Sequence, residues 1–445
     1  MSTGPQHTAS PQAEAFAAVA EQFRQAEQWS PAELAKVQTE LLGRLLADAA
    51  AHVPWHREHT APVLRDAPGE SPLTLLERVP VLTRTMIQAQ QAALVSERHQ
   101  PDGVVDFSTS GSTGTPVTVR WNRAANLVQA GLVARHYRWF DSDPAAKLAG
   151  LRVVTGSDGV RRGRGWFPGA TAGETADMDA SFPVRKQLEW LLREDPRYLM
   201  TYPSNARALL LEARAQGVKP TRLERIHSFG EAMADELPAL ARSIWNVPVA
   251  DRYSAREVGL VAIQCPTGDG YHVQAESVLV ELLDAHDRPV PEGETGRVVI
   301  TNLHNRAMPM IRYAIGDYAA AGPPCRCGSP LPVLKRILGR TRNMFVMPDG
   351  DVLWPRFSSQ ELGNVAPIRQ FQLVQTSLDE VIFRLVAMRA ITAEEESTLE
   401  SLVRRRLLGD YRLEFRYVDD IPRSASGKYE DFRSEVAQDG AVSHA

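Results

Sequence analysis

Two hydrophobic periods alternate along most of this chain, and that alternation limits the fold more than any other feature. Between Glu33 and Ala51, Leu34, Val37, Leu41, Leu42, Leu45, Leu46 and Ala49 recur at helical spacing and predict an amphipathic helix ending before His52-Val53-Pro54. Further helical patterns over 184–193 and 206–216 alternate with β-branched runs at 278–283 and 298–301. Such interleaving predicts an α/β protein with layered sheets and helices. The 445 residues are 43% apolar and 23% charged, with 30 glycines and 30 prolines dispersed along the chain, which excludes collagen-like, coiled-coil and wholly disordered folds. A formal charge of −4 gives no global field favouring nucleic acid or an anionic membrane, and neither is expected as a partner.

No window approaches the ~18 consecutive apolar residues needed to cross a bilayer, and MSTGPQHTASPQAEAF lacks the basic-then-apolar order of a secretory signal, so a cytoplasmic location is expected. Residues 1–12, small and polar with two prolines, are expected to form a disordered tail. Further on, Gly339-Arg340-Thr341-Arg342 precedes Asp349-Gly350-Asp351, a hairpin signal, after which a strand–helix–strand rhythm runs to Tyr417. A boundary at Gly339 is therefore expected. It divides a large N-terminal domain, 1–338, from a small mobile α+β domain, 339–445.

The strongest local signal for chemistry follows Val104-Val105-Asp106-Phe107, which reads as the end of a strand. Ser108-Thr109-Ser110-Gly111-Ser112-Thr113-Gly114-Thr115-Pro116 offers hydroxyls, exposed amides and glycines that let a ligand approach, the makings of a phosphate cradle. It is not a Walker loop, because Thr115-Pro116 stands where that loop has its lysine. Taken alone, a flexible Ser/Gly linker explains the run equally well.

Five further segments, in order, give the run its context. The loop resembles the nucleotide-phosphate loop of the adenylate-forming acyl- and aryl-CoA synthetases, and the whole chain looks most like their phenylacetate–CoA ligase branch. Ser228-Phe229-Gly230-Glu231 resembles that family's adenine-site segment, Tyr253-Ser254-Ala255-Arg256-Glu257 its aromatic-to-glutamate motif, and Tyr313-Ala314-Ile315-Gly316-Asp317 its ribose motif. Leu338-Gly339-Arg340 resembles the interdomain hinge and Pro422-Arg423-Ser424-Ala425-Ser426-Gly427-Lys428 the C-terminal lysine motif. Leu45 to Arg57, with Val53-Pro54-Trp55-His56-Arg57, is similar to the branch's N-terminal helix and loop.

The resemblance implies site residues. Ser108, Ser110, Gly111, Ser112, Thr113, Gly114, Gly230, Glu231, Tyr253, Ser254, Asp317 and Arg340 would hold the nucleotide, with the Tyr253 ring on adenine and Asp317 and Arg340 at the ribose. Glu257 would hold Mg²⁺ against the phosphates. Lys428 would meet the substrate carboxylate and the α-phosphate, two anions that catalysis must bring together and neutralise. Ser254 and Arg256 stand where the family usually has a glycine and a Ser or Thr, so the usual hydroxyl contact to the α-phosphate would pass to Arg256. Thr115 stands where many members have Lys, and Arg342, followed by Asn343, where the pivot is commonly Asp.

The three cysteines form a second constellation. Cys265, His272, Cys325 and Cys327 amount to three thiolates and an imidazole, a full tetrahedral zinc set with no position open for water, hence a structural Zn²⁺ site. Three buried, unlinked cysteines are the competing reading. In Val160-Arg161-Arg162-Gly163-Arg164-Gly165-Trp166-Phe167-Pro168-Gly169, Trp166 and Phe167 would cover the acyl pocket, or the arginines receive CoA phosphates; a solvated basic loop is the alternative. Tyr202, after a strand-like Tyr198-Leu199-Met200, is expected on the acyl-pocket wall.

The expected activity is that of an ATP-dependent carboxylate ligase that adenylates an aryl carboxylic acid, releases pyrophosphate and passes the acyl group to CoA. Transfer to an amine or a carrier-protein thiol, and a non-catalytic nucleotide-binding protein, are the alternatives. A homodimer is the general expectation for such an enzyme.

Overall fold

The computed structural model describes residues 11–98, 103–108, 117–154, 159–167, 173–268, 270–340, 343–349, 352–353, 355, 357, 359–423 and 428–436. Of the residues expected in the tail, Pro11 and Gln12 belong instead to the helix Pro11–Ala26, and 1–10 lie outside the described residues. Proline is accommodated there because the first turn of a helix leaves its amides unpaired in any case. The predicted helix spans Pro31–His52 and begins at a capping box, in which Glu33 N donates to Ser30 Oγ at 3.3 Å and Ser30 N to Glu33 Oε2 at 2.7 Å. Its apolar stripe, including Leu42, Leu45, Leu46 and Ala49, packs with Leu75, Leu76 and Ile311.

Two strands form a hairpin around the phosphate-loop sequence, β1 Val104–Ser108 and β2 Thr118–Asn122. Twelve more build one continuous sheet: β3 Leu148–Arg152, β4 Val160–Arg164, β5 Glu174–Asp179, β6 Tyr198–Thr201, β7 Arg225–Phe229, β8 Val249–Ala255, β9 Gly259–Gln264, β10 Tyr271–Val273, β11 Val278–Leu283, β12 Thr295–Asn302, β13 Tyr313–Gly322 and β14 Val333–Arg340. Their spatial order is β11-β12-β13-β14-β10-β9-β8-β7-β6-β3-β5-β4. Within it, β5, β3, β6, β7 and β8 run parallel, and pairing turns antiparallel from β8 to β9 onward. Helices Val184–Glu194, Pro203–Gln216 and Leu237–Trp245 cover the parallel part with Leu188, Leu191, Leu209, Leu210 and Trp245.

After Arg340 the chain leaves the large sheet. β15 Phe345–Val346 and β16 Val352–Leu353 make the expected hairpin, followed by β17 Ile368–Ser377, β18 Glu380–Ala387, β19 Arg412–Tyr417 and β20 Phe432–Ser434 in a four-stranded sheet of order β19-β18-β17-β20. The helix Ala393–Arg406 packs on it. This part has its own core, with Phe371, Phe383, Leu399, Val403 and Phe432 buried together. The protein is thus α/β, a large sheet-and-helix domain followed by a smaller α+β domain.

Candidate active site

In an open parallel sheet, ligands bind beyond the carboxyl ends of the strands, where loops rather than side chains fill the space. β6, β7 and β8 end together here, and a cleft of about 520 Å³ opens at their ends and is closed by the small domain. Tyr202 follows β6, Gly230 and Glu231 follow β7, and Tyr253, Ser254, Arg256 and Glu257 come from β8 and the turn after it; all line the cleft. Gly230 has φ +79, a left-handed conformation that suits glycine. A Cβ there would lie 3.4 Å from the Tyr202 ring and 3.6 Å from Lys428 Cε, so the lysine of the small domain passes directly over the end of β7.

Asp317 and Arg340 also line the cleft, facing one another across β13 and β14 with Arg340 Nε 3.6 Å from Asp317 Oδ1. The Tyr253 hydroxyl donates to Asp317 Oδ2 at 2.8 Å. Burial, and then the Asp317 charge, push the Tyr253 phenol well above its usual range, so it stays a neutral donor. Lys428 is shifted the other way. Burial, then the Arg340 cation, pull its ammonium below the usual lysine range, while Asp317, Glu231 and Glu257 oppose that shift.

Some expected residues hold partners the sequence did not indicate. Glu257, 8% exposed, is paired with Arg84, whose Nη1 lies 3.3 Å from Glu257 Oε1. Arg84 stands at the start of the helix Arg84–Gln90, which Thr83 caps, and Leu82 fixes that start by bridging to Tyr313. The Thr83 cap marks a helix entry, but nothing in the sequence says that it opens onto the cleft. Arg256 Nη1 donates to the Ser108 carbonyl at 2.5 Å and so anchors the strand that leads into the phosphate-loop sequence. Ser110, Gly111, Ser112, Thr113, Gly114 and the pivot at Arg342 lie outside the described residues.

Glu231 acts as a clasp between the domains. Its Oε2 accepts from Ser204 N at 3.0 Å, at the start of helix Pro203–Gln216, and its Oε1 from Tyr429 N at 2.7 Å, beside Lys428. Arg423 Nη1 lies 4.0 Å from the same carboxylate and donates to Ser204 Oγ at 2.7 Å. Trp166 and Phe167 are not among the residues lining the cleft. Trp166 donates to the Ala146 carbonyl at 3.0 Å, and both rings pack on Tyr137 behind Phe229.

The cysteine constellation comes together. Cys265 follows β9, His272 lies on β10, and Cys325 and Cys327 sit in the connection from β13 to β14, the strand that pairs β10 on its other side. The four ligand atoms lie within 4.8 Å of one another, with Cys325 Sγ 3.7 Å from Cys265 Sγ and Cys327 Sγ 3.3 Å from His272 Nε2. Zn–S bonds of ~2.3 Å in a tetrahedron place sulfurs ~3.8 Å apart, so the donor set fits zinc. His272 Nδ1 faces the Leu331 carbonyl at 3.4 Å, which leaves Nε2 toward the thiols. Gly268 makes room, since a Cβ there would lie 2.8 Å from Cys325 Sγ.

Comparison with known proteins bears on the fold. Residues 346–434 match the family model for the CapK C-terminal domain. The phenylacetate–coenzyme A ligase of Thermus thermophilus is 26% identical over 362 residues, 78% of this chain and 80% of the relative. A 2-hydroxyisobutyryl-CoA ligase solved in a postadenylation state with R3-HIB-AMP superposes with a TM-score of 0.74 at 21% identity, over 93% of this chain and 92% of its own. The fold is that of the acid–CoA ligases. The same 2-hydroxyisobutyryl-CoA ligase in its thioesterification state, with 2-HIB-AMP and CoA, gives a TM-score of 0.56 at 21% identity over 90% of each chain.

Proposed function

We propose that this acid–CoA ligase-like protein joins a carboxylic acid to CoA in two steps. In the first, a carboxylate oxygen attacks the α-phosphorus of ATP, an acyl-adenylate forms and pyrophosphate leaves. In the second, the sulfur of CoA attacks the acyl carbonyl and AMP leaves. The observation that carries this reading is the meeting of Lys428, from the small domain, with Gly230, Glu257, Tyr253 and Asp317 from separate parts of the large one.

Each group has a task suited to its surroundings. The Lys428 ammonium lies where the carboxylate and the α-phosphate would meet, and its partial burial strengthens its field on both. Asp317, an acceptor aligned by the Tyr253 hydroxyl, receives the ribose hydroxyls. The 108–114 loop cradles the phosphates, with Arg256 fixing its entry. Glu257 is the residue that would hold Mg²⁺, which supplies charge neutralisation at the phosphates. Cys265, His272, Cys325 and Cys327 would hold a structural zinc, since all four ligands come from protein.

Gly339, with φ +96, is the hinge in this reading, separating 1–338 from 339–445. The higher TM-score to the postadenylation form accords with the clasped position of Lys428. Pyrophosphate release with ATP, Mg²⁺ and a panel of aryl, arylacetic and short aliphatic acids tests the first step. CoA-dependent turnover tests the second, and turnover with amines alone would redirect the acyl group to an amide.

A further inference from the structure

Parallel strands place aligned residues on the same side, so β7 and β8 present two different faces. Their register pairs Ser228 with Asp251 and Phe229 with Arg252. On the first face everything is satisfied: Ser228 Oγ donates to Asp251 Oδ1 at 2.5 Å and the Tyr271 hydroxyl to Oδ2 at 2.7 Å. On the second, Arg252 lines the cleft with its guanidinium 5.5 Å from the Phe229 ring centroid and 5.9 Å from that of Tyr137. Its Nη2 donates to Met200 Sδ at 3.4 Å, and its buried Nη1 has no hydrogen-bond partner among the described residues.

That arrangement is unusual for an arginine. A guanidinium withdrawn from water is normally answered by a carboxylate, commonly through two parallel hydrogen bonds. Arg252 has rings and a thioether instead, and no carboxylate within 4.0 Å among the described residues. The nearby imidazoles, His136 and His227, face each other at 3.0 Å, and burial followed by the Arg252 charge holds both well below the usual histidine range. They add no charge, and Asp251, the neighbouring carboxylate that feels the Arg252 field, is engaged by Ser228 and Tyr271 on the other face, so the half-buried guanidinium has no carboxylate paired to it directly among the described residues.

Its position relative to Lys428 sets a length scale. Lys428 Cε and the Tyr202 ring both approach Gly230, Tyr202 packs against Phe229 at a tilt with centroids 5.0 Å apart, and Phe229 lies against Arg252. Two cations thus stand at the ends of a short aromatic wall. We propose that Arg252 receives a second carboxylate of the acid whose first carboxylate is activated at Lys428, so that this protein selects short or ring-bearing dicarboxylic acids. The inference rests on the ligase reading above and names its substrate class.

The test measures binding by calorimetry for matched pairs, benzoate with terephthalate, phenylacetate with homoterephthalate and propionate with succinate, in the wild type, Arg252→Met and Arg252→Lys. Pyrophosphate release is followed in parallel. A charge-assisted pair predicts that the wild type favours at least one diacid over its partner by roughly 10- to 100-fold. That ratio should fall to near one in Arg252→Met and lie between in Arg252→Lys. Because each ratio is taken within one protein, general loss of folded material cancels. A wild-type ratio near one for every pair, failure of every diacid to bind, or a ratio preserved in Arg252→Met overturns the inference. Absence of pyrophosphate with every acid would instead overturn the ligase reading, while the binding ratios still decide the role of Arg252.

Discussion

The two faces of the β7–β8 pair differ in how completely their polar groups are answered. Toward the side proposed to hold the nucleotide, Ser228, Asp251 and Tyr271, and likewise Tyr253 and Asp317, are joined by hydrogen bonds within the protein. Toward the other side, Arg252 stands among Phe229, Tyr137 and Met200 with a buried donor unanswered. A preorganised network suits a ligand that is the same in every turnover, because its groups need no rearrangement when it arrives. An unanswered charge suits the ligand that distinguishes one enzyme from its relatives, because the wrong ligand leaves that charge buried and unpaired.

Lys428 is where the two sides meet, so its loss should have the largest effect. Lys428→Ala is expected to slow pyrophosphate release by at least roughly 10²–10³-fold, the range for removing a group that neutralises developing charge, without lowering the unfolding temperature of the large domain. Asp317→Ala should act on one side alone. Removing a charged acceptor and leaving the Tyr253 hydroxyl buried without its partner is expected to raise the KM for ATP by roughly 10- to 100-fold, with the preference among acids unchanged, in steady-state assays. A shifted acid preference in that variant would break the separation between the faces.

Smaller effects sharpen it. Glu231→Gln keeps a carbonyl acceptor but loses the charge shared by Ser204 N, Tyr429 N and Arg423. The expected loss is about tenfold in adenylation, the equivalent of one charged hydrogen bond, and less in thioester formation from supplied acyl-adenylate, measured by rapid quench. Stripping zinc with a chelator should lower the unfolding temperature. It should also loosen the nucleotide face, because Gln264 and Tyr271, which hold Asp251, adjoin Cys265 and His272 in sequence. Metal analysis of the untreated protein should give one zinc per chain.

The pH dependence is the finest probe. The proposed adenylation step uses the Lys428 ammonium, and burial with Arg340 lowers its pKa in the free protein. Deprotonation therefore begins at lower pH than for an ordinary lysine. The alkaline limb of kcat/KM should fall below the usual lysine value near 10.5, and Arg340→Gln should move it upward by removing a repelling cation.

What the sequence revealed divides along the same line. The elements were legible because their periodicity is local: the Glu33–Ala51 stripe lies in Pro31–His52, and the β-branched run 278–283 is β11. The residues placed around the cleft by resemblance, Gly230, Tyr253, Asp317, Arg340 and Lys428, do line it together. Arg84 and Arg252 were not legible. Each is a single arginine in an otherwise ordinary helix start or strand, and each gains its meaning only from partners far away in sequence, a carboxylate for Arg84 and rings and a thioether for Arg252. Glu231 was read as a nucleotide residue, and nothing in the sequence signalled that its two carboxylate oxygens are also engaged by Ser204 and Tyr429, a pairing between residues far apart in the chain. Trp166 and Phe167 read as a pocket cover, whereas Tyr137 lies beneath them and Phe229 forms the cleft wall itself.

The account's central claim is that the closed cleft activates a carboxylic acid with ATP. The direct measurement is pyrophosphate release by wild type and Lys428→Ala with ATP, Mg²⁺ and the acid panel, followed by addition of CoA. The account predicts release with one class of acids in the wild type, a loss of at least roughly 10²-fold in the variant, and continued turnover only when CoA is present. Equal release by the two proteins, or ATP binding without release on any acid, would contradict it.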